Sequence, residues 1–219
     1  MLSIDTATSC GSIALFENHG ICISETLYEK RRHSEALIEE IDRFLKVHGM
    51  EIQEIDCFAA SVGPGSFTGV RVGYNTIKAL SFGLRKKAYF VSTLQAMTVA
   101  VKGTFSTVYS LLDAGRDEYY VGIYALKTSS ETLMGLESLK DLFKSHQPQN
   151  KIAVVGWIPS ELISQCETGN IVWIPCEPHA RYVGQWVSKK QCDYWDDKQD
   201  AYPSYIRKPH AATTYERPI

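Results

Sequence analysis

LSIDTA, residues Leu2 to Ala7, runs a short apolar strand into an abrupt polar stop at Asp5. The chain writes nearly the same phrase again. In YSLLDAG, residues Tyr109 to Gly115, Asp113 ends the apolar run 108 residues after Asp5, close to half of the 219-residue length. Ile13 and Leu15 follow Asp5 by eight and ten positions, and Val121 and Ile123 follow Asp113 at the same offsets. Repetition at this period points to two similar lobes with a cleft between them. Two short strands ending in Asp also arise by coincidence.

Working outward, the first half predicts strands at Leu2 to Ala7, Ser12 to Glu17 and Ile21 to Tyr28, joined by turns at Gly11 and Asn18-His19-Gly20, an antiparallel meander. Leu37, Ile41, Phe44 and Leu45 recur at helical spacing, which predicts a helix over Ser34 to His48 stopped by Gly49. A buried strand at Ile55 to Val62, a helix at Phe67 to Leu84, a strand at Tyr89 to Ser92 and a helix at Leu94 to Val101 follow. The second half alternates again, with strands at Lys151 to Gly156 and Ile171 to Ile174 and helices at Pro159 to Cys166 and Ala180 to Lys190. The expected division is residues 1–105 and 106–219, the second ending in a peripheral tail from Ala201 that carries Pro203, Pro209 and Pro218. Arg207, Lys208 and Arg217 in that tail read as a solvated basic end or as contacts to RNA or a partner.

Composition narrows the function. A net charge of −2 gives no general attraction to polyanions, so RNA contact requires a local patch or a partner. The six cysteines never form C-x-x-C, which points to a reduced, cytoplasmic setting without a zinc knuckle or redox pair. No leader-like or membrane-spanning run is visible, so a soluble protein is expected. The histidines form neither H-x-x-x-H nor H-E-x-x-H, and no G-x-S-x-G elbow occurs, which disfavours a metallohydrolase or serine hydrolase.

Two stretches invite a phosphate. Asp5-Thr6-Ala7-Thr8-Ser9 resembles the turn with which two-lobed ATPases hold a metal-phosphate, although Ala7 replaces a glycine. Asp113-Ala114-Gly115-Arg116 would be its counterpart, and both aspartates read equally as turn caps. Ser61 to Gly73, SVGPGSFTGVRVG, is glycine-rich but lacks the lysine of a Walker loop. In the helix it opens, Gly69, Gly73, Thr76, Leu80 and Gly83 share one narrow stripe, suited to the close approach of a second helix. That helix is either Ser34 to His48 of the same chain or one from another subunit. His33 reads as a residue packed at the start of its helix.

Taken together, IDTATS, RRHSEALI, SVGPGSFTGVRVG, VSTLQAM, LDAGRDEYY and PSYIR run in order over nearly the whole chain and resemble the bacterial TsaB (YeaZ) family. The resemblance implies an α/β chain of two RNase H-like lobes, the architecture of actin, sugar kinases and Hsp70. It implies a non-catalytic subunit of the complex that forms threonylcarbamoyladenosine on tRNA, located in the cytoplasm and bound to no membrane. The implied partners are the catalytic paralogue TsaD and the ATPase TsaE, with a homodimer when alone and tRNA met only through the complex. No metal and no cofactor of its own are implied, with room for a nucleotide at the partner interface. The family pairs through its first lobe, so the implied interface is His33, Ser34, Leu37, Ile41, Gly69, Gly73, Thr76 and Leu80. Asp5, Thr6, Asp113 and Arg116 are left as a vestigial nucleotide site, in doubt because D-A-G-R replaces the family's more usual D-A-R. The competing readings are an autonomous ATPase or kinase using Asp5 and Asp113, and a peptidase acting on its paralogue.

Overall fold

The computed structural model describes residues 1–17, 20–27, 33–146, 149–166, 169–190, 203–204 and 206–207. Strands β1 (Leu2–Asp5), β2 (Gly11–Glu17), β3 (Gly20–Leu27), β4 (Cys57–Ser61) and β5 (Lys87–Val91) form one sheet in the order β3-β2-β1-β4-β5. Strands β6 (Thr107–Gly115), β7 (Glu118–Ala125), β8 (Thr128–Gly135), β9 (Ile152–Gly156) and β10 (Ile171–Pro175) form the other, in the order β10-β9-β6-β7-β8. Read from its opposite end, the second order is the first repeated. Each sheet opens with an antiparallel meander and continues with parallel strands.

The strands that carry the two aspartates occupy equivalent central places, but β6 runs two residues past Asp113 and the turns differ. Asp5 pairs with Ser12, leaving a long loop, whereas Gly115 pairs with Glu118 after a bulge, and only Arg116 and Asp117 make the turn. Ile13 therefore faces Ile4, while Val121 faces Leu111, one position further from its aspartate than the constant offset predicts.

Helices α1 (His33–Val47), α2 (Phe67–Leu84), α3 (Thr93–Met97), α4 (Leu136–Lys144), α5 (Ser160–Gln165) and α6 (Ala180–Lys190) cover the sheets. Because β1 and β4 are buried on both faces, each face needs its own cover. Alternation assigns them. Leu2, Ile4, Phe58 and Ala60 pack with Leu37, Ile41, Phe44, Leu45 and Ile77 from α1 and α2. Ala59 and Val91 point the other way, onto Tyr182, Val183 and Val187 of α6. On that same face Ser3 Oγ donates to the Ala180 carbonyl at 2.9 Å, which satisfies a hydroxyl with no access to water.

The helices thus cross between lobes. Although α6 follows the second sheet in sequence, it lies on the first, and Leu94 and Met97 of α3 pack with Leu112 and Val155 of the second sheet. Gly184 lets α6 descend until a Cβ there would overlap the Phe16 ring. The segment after α6 also returns. Ser204 and Arg207 are partly buried and hydrogen-bonded, so this part of the expected tail is neither peripheral nor a solvated end; Lys208 and Arg217 lie outside the described residues.

His179 caps α6, its Nδ1 accepting the Arg181 N–H at 3.1 Å, while Nε2 lies 3.3 Å from Thr26 Oγ1. Burial, with Arg181 adding to it, pulls its pKa down to about 4. The unfolded chain takes up this proton near pH 6.5 and the folded chain does not, so stability is full above that value and is lost as pH falls toward 4. Solvent screening reduces the effect to roughly 1–2 kcal/mol. Relative to His179→Asn, which keeps a cap acceptor without a titrating ring, the wild-type melting temperature should fall between pH 7 and pH 4.5. Parallel pH dependence of the two melting temperatures would exclude a buried, neutral ring at His179.

The sequence reading passed over β8 and α4. β8 is the polar, half-exposed edge TSSETLMG, with no alternation to mark it. α4 carries Leu136, Leu139 and Phe143 at helical spacing, a signal that was there to be read. Around β4 the strand begins at Cys57 instead of Ile55, because Ile52–Glu54 forms a 3-10 turn that Ile55 closes.

Candidate functional site

The glycine-rich stretch and the first aspartate turn make one unit. Ser66 caps α2 by accepting the Gly69 N–H at 3.2 Å, and its own N–H donates to the Ala7 carbonyl at 2.7 Å. Thr6 Oγ1 donates to the Gly69 carbonyl at 2.7 Å. A Cβ at Gly69 would overlap the Thr6 carbonyl oxygen, one at Gly73 the Thr6 hydroxyl, and one at Gly65 the Ala7 backbone. The glycines therefore let α2 close on the turn after β1. At Gly69 and Gly73 the close approach that the small-residue stripe foretold is to the chain's own turn, while further along the same stripe Leu80 packs against the core that α1 shares.

That placement redistributes the expected interface. Leu37 and Ile41 belong to the first lobe's core, and Gly69 and Gly73 are sealed against Thr6, so none of the four presents a surface to a partner. Thr76 and Leu80 are half-buried, Leu80 against that same core. His33 and Ser34 open α1, and their side chains lie outside the described residues. What α1 and α2 expose is different. Among the described residues six large hydrophobic side chains are exposed, and four of them, Ile38, Val47, Phe67 and Phe82, sit on these two helices. Phe82 is 74% exposed, and Asn75 and Ala79 lie on its side of α2 at helical spacing. Phe82, an aromatic one turn past Ala79, was legible in the sequence, but the reading followed the glycines beside it.

The second candidate is the cleft between the lobes, about 430 Å³. Thr8, Ser9 and Ser66 form one wall, and Asp113, Trp157 and Glu177 contribute to the others. Its lining holds two carboxylates and no lysine or arginine among the described residues. Asp5 is not part of it. Its carboxylate is buried, Oδ1 accepting the Ala7 N–H at 3.1 Å, and burial pushes its pKa above the usual carboxylate range. Thr6 is committed to Gly69. Asp113 is exposed and accepts the Gly115 N–H at 2.7 Å, capping its own turn. With Arg116 and Asp117 both at positive φ, 62° and 56°, that turn is a two-residue hairpin of the primed type, too tight for its amides to wrap a phosphate. The four residues of the expected nucleotide site thus divide between a buried clamp and an exposed hairpin.

Among the described residues no three His, Cys, Asp or Glu side chains cluster as a metal site would, and no helix is long and apolar enough to cross a membrane.

Comparison with known proteins agrees with this architecture. Residues 24–151 match the family model described as TsaD, tRNA N6-adenosine threonylcarbamoyltransferase. The tRNA threonylcarbamoyladenosine biosynthesis protein TsaB of Escherichia coli (strain K12) is 32% identical over 126 residues, which cover 57% of this chain and 54% of that protein. The chain thus spans about half the length of the curated relatives it matches. A Pseudomonas aeruginosa protein described as similar to the peptidase YEAZ superposes with a TM-score of 0.74 at 24% identity, covering 94% of this chain and 98% of its own. A Porphyromonas gingivalis protein described as a "putative N-acetylglucosamine kinase" superposes with a TM-score of 0.52 at 7% identity, covering 88% of this chain and all of its own, a likeness in fold alone. A family match over more than half of the chain, joined to the TsaB likeness, settles the grouping: this chain belongs to the TsaD family and, within it, to the TsaB (YeaZ) group.

Proposed function

We propose that the chain is a non-catalytic subunit of the machinery that forms threonylcarbamoyladenosine on tRNA. It binds the catalytic TsaD paralogue through the exposed faces of α1 and α2 and supports recruitment of the TsaE ATPase. tRNA is met through the complex. The observation that carries this reading is the concentration of exposed apolar side chains, Ile38 and Phe82 foremost, on two helices whose inner faces already hold a complete core. Charge agrees with it, since a chain of net −2 has no long-range pull on RNA of its own.

The test is reconstitution of tRNA threonylcarbamoylation from purified components, with this protein omitted or added. Modification should depend on its addition, and the protein alone should modify nothing. Full modification without it would overturn the proposal. A second reading, an autonomous ATPase, rests on the cleft and on the capped α2 N-terminus at its edge. It requires Mg²⁺-dependent turnover by the isolated chain that Asp113→Asn abolishes; turnover at background disposes of it.

A further inference from the structure

Ser204 and Arg207 reach the two sides of the cleft. At one end the Ser204 N–H donates to the Val62 carbonyl at 2.7 Å, and the Ser204 carbonyl lies so close to Gly63 that a Cβ there would approach it to 2.8 Å. Val62 and Gly63 lead directly into Gly65 and Ser66, which line the cleft from the first lobe. At the other end Arg207 Nη1 donates to the Ala114 carbonyl at 2.7 Å, and Nη2 bonds the Glu118 carboxylate. Asp113 and Ala114 line the cleft from the second lobe. Between these two anchors Ile206 packs beside Leu94, Met97, Leu112 and Val155, where α3 crosses between the sheets.

Ser204 hydrogen-bonded to one lobe, Ile206 packed between the sheets and Arg207 hydrogen-bonded to the other together fix the distance between the walls. We propose that this strap is an interlobe latch, and that Arg207 is the part of it that engages and releases the cleft. The chemistry suits release. Ser204 is held by one backbone bond beside a glycine that admits no side chain, whereas Arg207 is held by a fork of donors to a hairpin carbonyl and a partly exposed carboxylate, and any stronger ligand for that fork can compete for it. With Arg207 withdrawn, the α3 and α6 crossings remain, so both lobes stay folded while the cleft widens.

Cys10 supplies a native probe, because it lines the cleft and is half-buried, whereas Cys57 lies at the start of β4 and Cys166 is buried in the second lobe. Alkylation by a bulky maleimide, followed residue by residue by mass spectrometry on the full chain, reads the opening. Arg207→Ala should raise the rate at Cys10 about tenfold and leave Cys57 and Cys166 unchanged. Ser204→Pro, which removes the strap's N–H at the opposite anchor, should give the same pattern. An unchanged rate at Cys10 in both variants would overturn the latch. Equal acceleration at all three cysteines would overturn it as well, since the segment would then be holding the fold instead of the cleft.

Discussion

Gly73→Leu is expected to destabilise the first lobe and not merely to detach a partner. On the sequence alone, Gly73 lies on a stripe fit for a helix of the same chain or of another subunit, and the same substitution reads either as an interface lesion with the lobe intact or as damage to the lobe's own core. The structure puts Gly73 in the core. Gly73 faces the Thr6 hydroxyl, which is itself committed to the Gly69 carbonyl at 2.7 Å, and Ile4 lies immediately behind. A leucine there has no free volume and must push α2 off β1, breaking the Thr6 bond and opening the core around Ile4 and Ile77. Overpacking of this kind, with loss of a buried hydrogen bond, costs about 4 kcal/mol. In a chain of this size that lowers the melting temperature by roughly 10 °C or more. Circular dichroism melts decide it: a wild-type melting curve combined with lost partner binding would return Gly73 to the interface.

The difference between the two expectations shows what sequence pattern can and cannot carry. Period and polarity placed α2 over Phe67 to Leu84 and α6 over Ala180 to Lys190, with the observed bounds, because an amphipathic helix writes its inner face into its spacing. The repeated strand ending in Asp foretold two lobes of one topology, since each aspartate stands where a central strand meets its turn. A stripe of small residues, however, says that something comes close without saying what. Here it is the turn after β1. Likewise Asp5 and Asp113 look alike in sequence and differ in burial, because the loop after Asp5 folds back over it and the two-residue hairpin after Asp113 does not. The crossing of α3 and α6 between lobes was not legible at all, since local periodicity fixes which face of a helix is buried and is silent on which sheet buries it.

Phe82→Asp is the complementary experiment, expected to abolish association while sparing the fold. The ring is 74% exposed on α2, outside the core that Ile77 and Tyr74 close beneath it, so its loss removes little buried surface. The melting temperature of the isolated chain should move by no more than about 2 °C, as for surface changes away from packed sites. At an interface the same ring would be buried by a partner, and a carboxylate in its place would be desolvated without a counter-charge. Central aromatic anchors of this kind contribute about 2–4 kcal/mol, so binding to the TsaD paralogue should weaken about 100-fold or more. Ile38→Asp on α1 should act in the same direction. Leu126→Asp is the control, because Leu126 is 97% exposed at the β7–β8 turn of the other lobe and presents the same chemistry away from these helices. Titration calorimetry with the purified paralogue separates the outcomes. Loss of binding in Phe82→Asp and Ile38→Asp with Leu126→Asp intact places the interface on α1 and α2. Wild-type affinity in Phe82→Asp, or equal loss in Leu126→Asp, would remove the surface on which the proposed function rests.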